Sequence, residues 1–292
     1  MSKNLLILGA GFSGRAIGET FKAAGFSVSG TTRSADKAKS LSGLGIEPIL
    51  YDGGEIPQTL GDAMACATHV VQSIAPGKDG DPLFRPGMPA LFELMPSLQW
   101  AGYLSTVGVY GDHKGGWVDE ETVLNPVSAR SIERVEAESH WLTFGKTSGL
   151  PVAVLRLAGI YGPGRNALRN MADGTARRLI KKDQVFNRIR VEDIGRSALF
   201  LAERHLGGVW NIADDEPGPP QDVVAEAARL LGLPTPPDIS FEAAELSPMA
   251  RSFYGENKRV SNAKLHAAGF EFRFPNYRQS LAELHASGRW RS

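Results

Sequence analysis

Cysteine is almost absent: Cys66 is the only one in 292 residues. A lone thiol excludes a disulfide framework and a cysteine-based metal centre, and it reads as a small buried hydrophobe. His113 and His140 stand without ligand spacing, so no metal is expected. An excess of either charge is missing too. Lys+Arg and Asp+Glu both total 32, which leaves no basic field to draw nucleic acid or an anionic membrane. No apolar run approaches the roughly 20 residues of a bilayer-spanning helix. MSKNLLILGAG has a short apolar stretch and no small-residue cleavage site, so it does not read as a signal peptide. A soluble, cytoplasmic protein is expected.

What is present is a chain with 42% hydrophobic residues, enough for a full core. Short apolar runs alternate with helix-like segments. NLLIL (4–8), SVSGTT (27–32), IEPILY (46–51), THVVQSI (68–74), WAGYLST (100–106) and PVAVLRL (151–157) read as strands. SGRAIGETFKAAG, residues 37–44, PALFELMPS and residues 127–147 read as helices, the last opened by Asn125-Pro126. This alternation predicts an α/β fold with a doubly wound parallel sheet. Residues 1–162 form the expected sheet domain of Rossmann type, which the glycine loop described next marks as dinucleotide-binding. Residues 163–292 form a smaller, interleaved C-terminal substrate lobe, with helices at about 164–181, 193–205, 221–231 and 276–287. A strand near 209–213 is expected to return to the sheet.

Gly9, Gly11 and Gly14 make a G-x-G-x-x-G between strand and helix, with Phe12 and Ser13 inside it. The first glycine permits the tight turn, the second lets a pyrophosphate approach, and the third allows helix–strand packing. The phosphates then meet the free N–H groups of the helix N-terminus. The end of strand two reads GTTRSADK. An NAD site wants a carboxylate there for the ribose hydroxyls. Thr31, Thr32, Arg33 and Ser34 stand in its place, and Asp36 comes only in the next helix. Hydroxyls and a guanidinium suit a 2′-phosphate, so NADP is expected over NAD. Arg33 is otherwise an ordinary surface arginine. Asp52 either accepts from the adenine amino group or serves the turn in YDGG.

The segment SARSIERVEAE (128–138) puts Arg130 and Arg134 one helical turn apart. Like charges at that spacing cost about 0.2–0.5 kcal/mol. The ordinary reading is a solvated face with Arg130–Glu133 and Arg134–Glu138 pairs.

Together with the glycine loop, the segments LSTVGVYG (104–111), LRLAGIYGPGR (155–165), RIRVEDIG (188–195) and VWNIADDEPGP (209–219) resemble the extended and atypical short-chain dehydrogenase/reductase family of nucleotide-sugar epimerases and dehydratases. The resemblance covers essentially the whole chain. In that family a Ser/Thr at the end of strand five works with a Tyr-x-x-x-Lys on the next helix. The resemblance implies that Thr106 is the Ser/Thr, while Arg130 and Arg134 fall where the Tyr and Lys are expected. Arginine stays protonated and is no general base near neutral pH. Arg134 keeps the capacity to hold a ribose, and Arg130 to bind an anion near the nicotinamide. Tyr110 and Tyr161 are the nearby phenols, each either a substitute for the missing tyrosine or a loop-packing residue. The segment Ser73, Ile74, Ala75 and Pro76 matches the loop beneath the cofactor. Val107-Gly108 replaces the Asp-Glu pair of dehydratases, which argues against dehydration. Arg165 is expected to take a substrate anion, and Lys258 and Arg259 are further candidates to reach it. Arg190 has a structural role, and Asp193 caps the following helix.

Two readings of function follow. One is an NADP-dependent enzyme of epimerase or reductase type acting on a nucleotide-linked sugar or other anionic small molecule. The other is a non-catalytic NADP-binding sensor or regulatory protein. The family resemblance implies a homodimer.

Overall fold

The computed structural model describes residues 3–85, 88 and 90–292. Met1 and Ser2 of the opening segment and Pro89 of the PALFELMPS segment lie outside the described residues. The chain runs β1 (Asn4–Leu8), α1 (Phe12–Ala23), β2 (Ser27–Thr32), α2 (Ala35–Gly43), β3 (Glu47–Leu50), α3 (Gln58–Cys66) and β4 (His69–Gln72). It continues through α4 (Leu91–Leu94), β5 (Trp100–Thr106), a 3-10 turn (Val107–Tyr110), β6 (Trp117–Val118), α5 (Ala129–Ser148) and β7 (Val152–Leu157). Then come β8 (Gly159–Tyr161), α6 (Ala167–Ala172), β9 (Arg178–Ile180), β10 (Arg188–Arg190), α7 (Val191–Glu203), β11 (Gly208–Ile212) and α8 (Pro220–Leu231). The remainder is β12 (Asp238–Ser240), α9 (Pro248–Phe253), β13 (Arg259–Val260), α10 (Ala263–Ala267), α11 (Tyr277–Ser287) and a final 3-10 turn.

Seven strands form one sheet in the order β11-β7-β5-β4-β1-β2-β3. The β1–β2, β1–β4, β2–β3 and β4–β5 ladders are parallel. The order reverses beside β1, so the ends of β1 and β4 open at the topological switch point, where ligands of such sheets bind. Leu5, Leu6, Ile7 and Leu8 are all buried, as a strand covered on both faces requires. Each such side chain contributes about 1.5–3 kcal/mol by leaving water.

The chain divides into two compact units. One comprises residues 1–109, 126–156 and 194–210, and the other residues 110–125, 157–193 and 211–292. The second unit packs α6, α8 and α11 around Leu168, Met171, Ala227, Ala228, Tyr277, Leu281 and Leu284. No described helix is long and apolar enough to cross a membrane.

Several local expectations change. Helix α5 starts not at Asn125-Pro126 but after Ser128, whose hydroxyl accepts from the Ser131 amide. The expected helix over 164–181 is only α6. Gly174 turns the chain at φ +67°, and β9 follows and pairs with β12. Asp193 does not cap α7, which begins at Val191. Its carboxylate accepts from the Arg273 and Phe274 amides at 3.0 and 2.8 Å, a contact within the second unit. Cys66 is exposed, not buried, because it closes α3 on a solvent-facing position.

Candidate cofactor and active site

Three glycines shape the end of β1. Gly9 takes φ +89°, and a Cβ there would lie 3.0 Å from Ile74 Cγ1 and 3.1 Å from the Ile74 amide. The turn therefore seats directly on Ser73 and Ile74 at the end of β4, and the Ser73 amide donates to Leu8 O at 2.8 Å. A Cβ at Gly14 would meet Gly9 O at 2.9 Å and Ile7 Cγ2 at 3.0 Å, so this glycine lets α1 press against β1. Gly11 differs. Its φ is −79°, and a Cβ would meet nothing within 4 Å. No protein neighbour explains it. Gly11 is also the N-cap of α1, with no side-chain cap and no acidic residue in the first turn. An anion is favoured at such a helix end.

The end of β2 braces this loop. The Gly9 amide donates to Thr31 Oγ1 at 2.7 Å, and the Ala10 amide donates to Thr31 O at 2.8 Å. Thr31 and Thr32 are buried. The Ser34 amide donates to Thr32 Oγ1 at 3.4 Å, while the Ser34 hydroxyl caps α2. Arg33 is exposed. Asp36, the nearest carboxylate in sequence, lies 3.9 Å from Lys39 on α2. Asp52 Oδ1 accepts from the Gly54 amide at 3.0 Å, which is the turn role. Across the switch point, Gln72 is fully buried. Its Oε1 accepts from the Ile74 amide and its Nε2 donates to Asp81, fixing the start of the Ser73–Pro76 segment, in which Ala75 is exposed and Pro76 buried. Trp141 and the Leu83 amide also donate to Asp81. Burial nevertheless raises the Asp81 carboxyl above its ordinary range.

On β5, Thr106 Oγ1 accepts from the Gly108 amide at 3.1 Å, leaving its O–H as a donor. A Cβ at Gly108 would stand 2.9 Å from Ser131 Oγ and 3.4 Å from Thr106 Oγ1, so α5 meets β5 here on a glycine. The two arginines part company. Arg130 is exposed and has no ion pair among the described residues. Arg134 turns inward, donates to Leu104 O and to Tyr103 Oη, and sits 5.7 Å from the Tyr103 ring centre. Glu138 does not pair with Arg134. It is held by Arg156 at 2.8 Å and by the Ser105 hydroxyl, with both ion-pair side chains no more than 4% exposed. Tyr103 is buried, which pushes its phenol up to about 12. The Glu138–Arg156 link escapes sequence reasoning because an arginine inside an apolar strand gives no pattern of its own, and the Arg134–Tyr103 link because helical spacing does not tell where a long side chain points.

In the second unit, Tyr110 is buried and donates to Asn211 Oδ1 at 2.7 Å. Burial raises the Tyr161 phenol above the ordinary tyrosine range. Arg165 is exposed in the Gly162–Arg165 turn. Arg190 is fully buried, with Glu192 and Glu283 as ion-pair partners. Lys258 is also buried, spent on Gly111 O and Glu256, and Arg259 donates to Gly115 O. Among the described residues, no group of three His, Cys, Asp or Glu side chains gathers to hold a metal.

Comparison with known proteins bears on this geometry. The NAD dependent epimerase/dehydratase family matches residues 90–213. Protein YeeZ of Escherichia coli K12 is 30% identical over 94% of this chain and 97% of its own length. A structure from Silicibacter pomeroyi, described as a functionally unknown conserved protein, is 42% identical. It covers 99% of this chain and 100% of its own, with a TM-score of 0.88. UDP-glucuronic acid 4-epimerase from Bacillus cereus, solved with NAD, shares the fold at 16% identity and a TM-score of 0.74, over 97% of this chain and 96% of its own.

Proposed function

The chain belongs to the NAD dependent epimerase/dehydratase family, and on that premise we propose that it binds NADP and acts as an epimerase- or reductase-type enzyme on an anionic small molecule, such as a nucleotide-linked sugar. The observation that carries the proposal is Gly11: an exposed glycine at a helix N-terminus, with ordinary φ and open space where its side chain would be. The residues fit a dinucleotide. Gly9, Gly11, Phe12, Ser13 and Gly14 would hold the pyrophosphate, with Ser73, Ile74, Ala75 and Pro76 passing beneath the cofactor. Thr32, Arg33 and Ser34 would meet the 2′-phosphate, and Asp52 the adenine side. Bound NADP would supply the hydride donor or acceptor. Thr106 offers its O–H to the substrate, Arg130 an exposed positive charge for a substrate anion, and Arg165 a second one. Arg134 holds the Leu104 carbonyl and so fixes the β5 end that carries Thr106. A cytoplasmic location and a homodimer belong to the same proposal.

The test is calorimetric titration of NADPH and NADH into the protein and into Arg33→Ala. NADPH should bind the parent more tightly, and the substitution should cost about 1.5–3 kcal/mol, roughly ten- to a hundredfold, for NADPH alone. Equal affinities in the parent would remove the NADP reading.

A second reading, a non-catalytic NADP-binding sensor or regulatory protein, draws on the helix α5 itself. Arginine at the two positions where the resemblance implies Tyr and Lys is no general base near neutral pH, and Arg134 is engaged with the sheet. NADPH binding without cofactor turnover or sugar epimerisation across a panel of nucleotide sugars would favour this reading.

A further inference from the structure

The β1–β4 ladder ends where Gln72 stands opposite Leu8. One residue on, the Ser73 amide still donates to Leu8 O, but the Ile74 amide has no strand to donate to. The chain then turns back. Gly77 and Gly80 exchange both main-chain bonds, at 3.2 and 2.9 Å, and Asp81 comes to lie beside Gln72, all within the first unit. The Gln72 and Asp81 side chains are fully buried. A backbone N–H can only donate, so Gln72 must turn its carbonyl to Ile74, at 3.1 Å, and its NH2 group to Asp81 Oδ1, at 2.9 Å. The Leu83 amide donates to the same oxygen at 2.9 Å, and the Trp141 indole on α5 donates to Oδ2 at 3.2 Å. Three N–H donors thus converge on Asp81. A carboxylate accepts at both oxygens, whereas an asparagine there would turn an NH2 group toward one of these donors.

We infer that Gln72 and Asp81 clasp the base of this loop and are positioning residues for the dinucleotide, acting through the Ile74 amide on the Gly9 turn. The inference rests on the dinucleotide reading above. Gly9 is the link. A Cβ there would lie 3.0 Å from Ile74 Cγ1 and 3.1 Å from the Ile74 amide nitrogen, so the Gly9 backbone seats directly on Ile74. On its other side the turn is tied to Thr31, by the Gly9 amide at 2.7 Å and the Ala10 amide at 2.8 Å. The turn is therefore held between β2 and the loop after β4, and the second hold is only as firm as the Gln72 carbonyl. A site kept in shape before its ligand arrives loses less to ordering when it binds. The Trp141 bond ends on the other carboxylate oxygen and leads away from the loop to α5. It serves stability, and the Gln72 bonds serve position.

The experiment compares Gln72→Met with Trp141→Phe in the full chain, by calorimetric titration of NADPH and NADH, amide hydrogen exchange and thermal melting. Gln72→Met keeps the length of the side chain and removes both of its bonds. Exchange should quicken over residues 73–80 while the amides of β4 and β5 keep their protection. The dinucleotide should bind at least about tenfold more weakly. Trp141→Phe removes the donor to Oδ2 and leaves the Gln72 bonds in place. It should lower the melting temperature and leave dinucleotide affinity within about threefold. Should Gln72→Met fail to fold, Gln72→Asn keeps an amide but is one methylene too short to reach both partners, and the same changes in exchange and binding are expected. Parental affinity in a folded Gln72 variant, unchanged exchange over 73–80, or an equal loss of affinity in Trp141→Phe would overturn the inference and leave the dinucleotide reading standing. A parent protein that binds neither NADPH nor NADH would overturn that reading, and this inference with it.

Discussion

Replacing Gly11 by alanine separates a ligand-binding glycine from a structural one. A Cβ at Gly11 meets no protein atom within 4 Å, and φ −79° is open to every residue. Alanine is a slightly poorer N-cap than glycine, while the unfolded chain loses freedom, so the net change in stability should stay within about 1 kcal/mol. At about 2–4 °C per kcal/mol for chains approaching this size, the melting temperature should move by no more than roughly 4 °C. Binding is another matter. The new methyl group would stand where the pyrophosphate must approach the α1 N-terminus, and NADPH affinity should fall at least about a hundredfold, close to 2.7 kcal/mol. Gly9→Ala is the contrast. It forces an L-residue to φ +89° and brings Cβ to 3.0 Å from Ile74 Cγ1, against a segment braced by Gln72. That should cost about 1–3 kcal/mol of stability before any ligand is added. Calorimetric titration of NADPH, with thermal melts of the parent and both variants, provides the readout. If Gly11→Ala binds NADPH with near-parental affinity, the pyrophosphate does not lie on this loop. If it melts as early as Gly9→Ala, the glycine is there for the protein and not for a ligand.

The other predictions concern charges. Arg134→Ala should destabilise the protein by about 1–3 kcal/mol through the bonds lost at Leu104 and Tyr103 and should weaken NADPH, whereas the exposed Arg130→Ala should leave stability within about 0.5 kcal/mol and reduce only the affinity for an anionic substrate. Melts and titrations of the two variants separate them, and identical behaviour would refute the different roles. Glu138→Gln leaves the Arg156 charge buried without its partner and should cost about 3–5 kcal/mol in urea denaturation; a loss under about 1 kcal/mol would mean that water or another group meets Arg156. Asp214 gives a pH dependence. Its folded value of about 8 lies above the unfolded one, so the native state binds the extra proton between pH 4 and 8. Stability should therefore fall as pH rises through that window, with this one group contributing at most about 1.4 kcal/mol per pH unit. Asp214→Asn should flatten that slope, and an unchanged slope would show that Asp214 is ionised in the native protein.

Some of this molecule can be read from the chain alone, for physical reasons that can be named. NLLIL and WAGYLST become β1 and β5 with the same ends, because a doubly buried strand is a largely apolar run cut off by turn residues, and SVSGTT becomes β2 with the same ends although Val28 is its one apolar side chain. The glycine loop is legible because each glycine relieves a different local constraint. Reading fails where a tertiary partner decides. Asn125-Pro126 is a sound local signal for a helix start, yet the hydroxyl of Ser128, three residues later, takes the cap. Asp193 has the composition of an N-cap, yet it serves two amides some 80 residues away. The arginines of α5 show the same limit. The resemblance implies a family position for each, but neither resemblance nor spacing tells where a long side chain points. Arg134 finds a carbonyl and a phenol on β5 and turns inward, while Glu138, the partner one turn on, is already taken by Arg156 from β7. The pair that looks like a solvated ladder thus divides into an anchor and an exposed charge. If Arg130 stands where the resemblance implies the family's tyrosine, as proposed, that position offers no general base, because arginine is not one near neutral pH. On that proposal, proton transfer would have to come from the substrate, from water or from a group off this helix, and that is the chemical question which the arginine poses.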